Sequence, residues 1–139
     1  MTIRKIHILS VFMLITVLLT LAACDSANSS SWRMSVNVSE RSLNDGFIIN
    51  VGSANSGRRN QTFNLSAEQL ASIHVTSTSG EGEIVLVISQ DGEEDGTEIV
   101  QDISNFIGYI SADSLSPGRI RFSLRYDGVR NSETTVVWQ

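Results

Sequence analysis

The chain has one cysteine, Cys24, and one lysine, Lys5, among its 139 residues. Without a second cysteine no internal disulfide forms, so the folded part holds together by burial alone. Beyond residue 23 there is no lysine, which removes Schiff-base chemistry and the lysine of a phosphate-cradling loop. One histidine, His74, remains there, too little for a zinc centre and the sole candidate base for a Ser-His-Asp device. No Gly-x-Ser-x-Gly elbow and no internal repeat occur. These absences argue against an enzyme. Basic charge is scarce as well. After residue 23, eight arginines face fifteen acids, net −7, which disfavours nucleic acid and flat adsorption on anionic lipid.

What is present begins with Arg4 and Lys5, then an apolar run over residues 6–21 broken by His7, Ser10, Thr16 and Thr20. A positive start, an apolar middle and small residues before a cut site make a secretory signal. Leu21-Ala22-Ala23-Cys24 resembles the lipobox of bacterial lipoproteins. That resemblance implies lipid transfer to the Cys24 thiol, cleavage before it and acylation of the new amino terminus. The protein is then anchored to the cell membrane on its extracytoplasmic face. One acyl chain holds a protein only marginally, at roughly 0.8 kcal/mol per buried CH₂, whereas several on one cysteine make a lasting anchor. An uncleaved helix of about 20 apolar residues spanning the bilayer and a plain signal with an incidental cysteine are the competing readings. Asp25 resembles the inner-membrane retention signal of enterobacterial lipoproteins. The chain accordingly divides into a signal peptide (1–23), a lipidated cysteine with a flexible tether (24–31) and a folded domain (32–139). The tether, "DSANSSS", is small, polar and aperiodic, with a span of about 15 Å.

From Trp32 the pattern alternates with period two: Trp32, Met34, Val36 and Val38 on one side, Arg33, Ser35, Asn37 and Ser39 on the other. Further strands are expected over residues 47–51, 61–65, 73–79, 83–90, 97–103, 106–110, 120–126 and 134–138. Residues 53–60, "SANSGRRN", read as a loop, and Ser66 caps a one-turn connector. The unbroken run Ile84-Val85-Leu86-Val87-Ile88 suits a central strand covered on both faces. Eight or nine short strands with no convincing helix predict an all-β antiparallel sandwich, jelly-roll or immunoglobulin-like. A five-residue loop over residues 127–131 is expected to pair Tyr126 with Ser132, Phe122 with Val136, Ile120 with Trp138 and Arg125 with Glu133, because a one-residue slip would set an aromatic beside a carboxylate.

Three constellations bear on chemistry. "DGEEDG" (91–96) offers calcium ligands Asp91, Glu93 and Asp95, with Gly96 sixth and Asp102 twelfth. It departs from the calcium-loop pattern in its third and twelfth positions and in its strand flanks. The same residues serve as an acidic hairpin tip that guards a sheet edge. The row Arg119, Arg121, Arg125, with the weaker pair Arg58-Arg59, either receives an anionic partner or forms a solvated face. Trp32 and Trp138 are the candidate aromatics for stacking on sugar, but both have inward parity, which favours core packing, and His74 points outward.

From Phe63 onward, "TFNLSAEQL", "IHVTSTSGEGEIVLVISQDG", "LSPGRIRFSLRYDG" and the terminal "VVWQ" resemble small bacterial lipoproteins built as a single β-sandwich. The layout also looks like jelly-roll accessory domains of secreted bacterial enzymes. The resemblance implies fold and place. Function is expected to be non-enzymatic: a binding or envelope-accessory module for a glycan or protein. The alternatives are an inhibitor or partner of an envelope enzyme presenting "SANSGRR", and a calcium-binding sandwich domain.

Overall fold

A computed structural model describes residues 30–93 and 96–139, without the side chains of Ser30, Trp32, Arg33, Met34 and Val36. The signal segment, Cys24, most of the tether, Asp95 and the parity of Trp32 therefore lie outside the described residues. The elements are β1 (Ser30–Leu43), β2 (Gly46–Leu65), α1 (Ala67–Ala71), β3 (Ile73–Thr78), β4 (Glu81–Gln90), β5 (Glu98–Asp102), β6 (Phe106–Ile110) and β7 (Gly118–Trp138). All the strand pairs are antiparallel and join into one hydrogen-bonded sheet. Among the described residues no helix is long and apolar enough to cross a membrane.

That sheet is folded onto itself. A straight strand would hold residues 47 and 63 about 50 Å apart, yet the Phe47 and Phe63 rings of β2 stack at 5.8 Å. Phe122 and Trp138, both on β7, stack at 5.6 Å. Each long strand therefore leaves one layer and enters the other. The crease is visible in the ladder. Asn37, Gly52 and Asn131 drop out of the pairing of β1, β2 and β7 in one row, and Asn37 and Asn131 take positive φ of 55° and 49°. A second row drops out at Asn55 and Gly128. Residues that leave the ladder register with left-handed backbone, here Asn37, Gly128 and Asn131, bend and twist a sheet locally. The connection of β3 to β4, and that of β5 to β6, cross the same line.

Two layers result. The first carries the early part of β1, the late part of β2, the early part of β7, then β4 and β5. The second carries the late part of β1, the early part of β2, the late part of β7, then β3 and β6. Between them Phe47, Phe63, Phe122 and Trp138 form an aromatic cluster, with Ile49, Ile84, Leu86, Ile88, Ile120 and Leu124 buried around it. Opposite the crease α1 closes the sandwich. Ser66 accepts from Gln69 N at 3.3 Å and Gln69 Oε1 accepts from Ser66 N at 3.0 Å, the expected cap, while Leu70, Ala112 and Leu115 bury together.

The expected sandwich is present, with two differences in its wiring. Residues 53–60 are strand rather than loop, paired with β1 on one side and β7 on the other. Residues 127–131 form no hairpin: β7 runs straight through the crease. Tyr126 opposes Gly57 and Ile84, Arg125 opposes Arg58, and Glu133 opposes Asn50 and Thr78. The polar, small-residue stretches that resemble turns supply the freedom to bend between layers, because other strands already occupy both edges. Nine expected strands thus become seven, two of them serving both layers.

Polar groups also enter the interior. Glu40 faces inward, accepts from Gln61, which is almost fully buried, and pairs with Arg59. Ser77 and Thr134 share a hydrogen bond of 3.0 Å. Burial pushes the nearby Tyr126 phenol well above its ordinary pKa, and a hydrogen bond with Thr134 only partly opposes this.

Candidate functional site

The acidic hairpin tip joins β4 to β5 as expected. Asp91 is its organised residue: Arg121 Nε donates to it at 3.0 Å and Arg119 Nη2 lies 2.9 Å away. Asp102 sits at the other end of the β4–β5 ladder, opposite Val85, whereas Ser89 opposes Glu98 next to the tip. Asp102 instead accepts from Ser104 N at 2.9 Å and Ser104 Oγ at 2.7 Å, which draws its carboxyl below the usual range. Glu93 is exposed beside Gly96. The structure thus brings Asp91 to arginines and does not bring Asp102 to the loop. Among the described residues no three His, Cys, Asp or Glu side chains gather as a metal site.

The arginine row occupies the outer face of the first layer. Arg119 and Arg121 turn to Asp91, while Arg125 lies directly opposite Arg58 of β2. Arg59, next in sequence, faces the interior toward Glu40. Alternation along the strand separates two neighbouring arginines into a surface group and a structural one.

The outer face of the second layer is different in kind. Inward positions of β3, β6 and β7 are taken by Ile73, Val75, Ile110, Val136 and Trp138, leaving His74, Thr76, Ile107, Tyr109, Thr135 and Val137 outside. Register sets them side by side: Tyr109 opposes His74, which opposes Val137, and Ile107 opposes Thr76, which opposes Thr135. Ile107 is 75% exposed and Tyr109 is 67% exposed. Tyr109 meets the His74 imidazole edge to face, with ring centroids 4.8 Å apart. The two rings brace one another on the outer surface of the five-stranded layer. An aromatic ring with apolar and hydroxyl neighbours packs a flat ligand with C–H faces and a polar rim.

Trp138 is buried in the core and His74 points outward, both as expected. Tyr109 was missed. Its signal was present in "FIGYI", where Ile107 and Tyr109 put large side chains on one parity while Phe106 and Ile110 fill the other. A strand apolar on both faces at the edge of a sheet leaves one face uncovered.

No family model matches the chain, and no curated protein matches it. Among solved structures it is similar to TmCBM61 in complex with beta-1,4-galactotriose, at 16% identity and a TM-score of 0.45, over 81% of this chain and 85% of that one. It is also similar to the enzymatically active domain of bacteriophage CBA120 tailspike protein 4, at 14% identity and a TM-score of 0.44, over 81% of this chain and 19% of that one.

Proposed function

We propose that the protein is a non-catalytic binding module, anchored by lipid on Cys24 at the extracytoplasmic face of the membrane, that takes a saccharide on the outer face of β3 and β6. The braced Tyr109–His74 pair carries this reading. Burying apolar surface is favourable only where such surface waits exposed, and Tyr109 is the large exposed aromatic among the described residues. Thr76 and Thr135 supply hydroxyls within the same patch. The apolar face of a pyranose would lie on the ring while its hydroxyls find the threonines. The inhibitor reading loses its protruding loop, because residues 53–60 are held in strand on both sides.

Affinity electrophoresis through gels containing neutral polysaccharides tests the site. A gel that retards the wild-type domain should retard Tyr109→Ala about tenfold less, or ~1.4 kcal/mol. The exposed substitution should shift unfolding by no more than about 0.5 kcal/mol. Undiminished retardation of the variant, or no retardation of the wild type by any neutral polysaccharide, rejects the site. The anchor is checked separately: radiolabelled palmitate should enter the wild-type protein in cells and be absent from Cys24→Ala.

A further inference from the structure

On the side away from β1, the first layer ends at β5 and the second at β6, and each is paired along one edge only among the described residues. Unpaired edges invite another strand, and folded proteins guard them with charge or with a break in the ladder. β1 carries Glu40 and Arg41 and leaves its ladder at Asn37, and β5 has Glu98 and Asp102 at its two ends. β6, Phe106-Ile107-Gly108-Tyr109-Ile110, has no such guard. Its ladder with β3 runs from Ser77 to Ile73 without a bulge. Residues 103–112 carry no charge, in a chain of net −7 beyond residue 23.

Exposure follows the same edges. The exposed large hydrophobic side chains among the described residues are Val100 of β5 and Ile107 and Tyr109 of β6. Gly108, at the centre of β6, raises no side chain, and the Phe106 ring lies 3.2 Å from where its Cβ would stand. The middle of this edge is bare backbone. The tether cannot cover it. Ser30 opposes Arg59 in the first layer, on the β1 side, so β6 lies four strand spacings across and one layer away, more than about 20 Å. Residues 24–29 reach at most about 22 Å when fully extended, which leaves nothing to pair.

The edge is complementary to itself. Set antiparallel about a two-fold axis through Gly108, Ile107 opposes the partner's Tyr109 and Tyr109 opposes the partner's Ile107 on the outer face. Phe106 opposes the partner's Ile110 on the inner one. Aromatic and β-branched side chains in opposing positions stabilise antiparallel strands, and this register makes two such outer pairs. No acid meets an acid across it, whereas the net charge of each copy opposes contacts between copies elsewhere.

We propose that β6 pairs with β6 of a second copy in this register, joining two five-stranded layers into one ten-stranded sheet. The contact is isologous and closes as a dimer. Five residues a side cover less than the ~800 Å² per partner of a standard interface, so the pairing is weak and exchanging. It uses the strand edge and leaves the Tyr109 ring open to solvent on its outer face, so it stands whether or not that face takes saccharide.

Oxidative cross-linking tests the register. The full chain with Cys24→Ala has no other thiol, and Ile107→Cys and Tyr109→Cys each place one at an exposed position. Opposed residues stand about 4.5–5.5 Å apart at Cα, within disulfide reach. Each position lies about 7–8 Å from its own counterpart, beyond that reach. Produced together with distinguishable tags and without saccharide, the two variants should cross-link to one another, and each alone about tenfold less. Adding Ile107→Glu to the Tyr109→Cys copy should cut the mixed yield about tenfold, the worth of the outer pairs, while the urea midpoint stays unchanged. Absent mixed product, equal yield from either variant alone, indifference to Ile107→Glu, or cross-links to a different protein in place of the second copy overturns the proposal.

Discussion

Phe122→Ala is expected to lower the unfolding free energy by about 3–5 kcal/mol, the usual cost of emptying a buried aromatic site. The upper part of that range should apply. Phe122 is fully buried and touches three other rings, edge-on to Phe47 at 5.7 Å and Phe63 at 6.1 Å and stacked on Trp138 at 5.6 Å. Those neighbours come from both layers and both long strands, so collapse around the void requires the layers themselves to shift. Domains of this size hold about 5–15 kcal/mol in total. No disulfide limits the damage. Urea unfolding followed by tryptophan fluorescence measures the loss, since Trp138 lies against the deleted ring. A change below about 2 kcal/mol would mean that the four rings do not join the layers as described.

Gly82→Val should cost about 3 kcal/mol or more, by a route that involves no cavity. Gly82 has φ of +83°, a region that costs a side-chain-bearing residue of order 1–3 kcal/mol. A Cβ there would also sit 2.5 Å from the Asp127 carbonyl oxygen and the Gly128 carbonyl. Those atoms are backbone of β7 where it crosses the crease, so they have little room to retreat. The pairing of β4 with β7 already shifts register between Glu81 and Glu83. The substitution should push β4 outward there, giving faster hydrogen exchange at Ile84 as well as a lower urea midpoint. Exchange and midpoint both equal to wild type would show that the crease tolerates a side chain.

Much of this architecture is legible in side-chain alternation. Trp138 and His74 are placed on the correct faces because period two is a local property of any strand, whereas the run Ile84–Val85–Leu86–Val87–Ile88, expected to be covered on both faces, sends Ile84, Leu86 and Ile88 to the core and Val85 and Val87 to the outer face of the first layer. The cap at Ser66 is local too. The continuity of β2 and β7 was not legible, because Gly52, Gly128 and Asn131 look alike whether a chain reverses within a layer or bends between two. What separates these outcomes is which edges are already occupied, and β3 and β4 decide that from a distance in sequence. The expected ladder pairs of Phe122 with Val136 and Ile120 with Trp138 do not form: Phe122 opposes Gln61 and Ile88, Ile120 opposes Phe63 and Gln90, and Phe122 meets Trp138 face to face across the sandwich. The candidate surfaces were half visible. The arginine row stood out by composition, but the pairing of Arg125 with Arg58 depends on a long-range register. Tyr109 was hidden because a mixed apolar strand reads equally well as core.

The position of β7 bears on how the chain can acquire its shape. The strand latest in order is the spine of both layers, hydrogen-bonded to β2 along almost its whole length and to β3 and β4 on its other edge. A nascent chain that has emerged only as far as residue 117 has β2 and β4 without their shared neighbour, and pairs such as Gly46 with Val137 must span most of the polypeptide. Contacts so distant along the chain make for slow maturation. The native body therefore closes only once β7 has joined β2, β3 and β4.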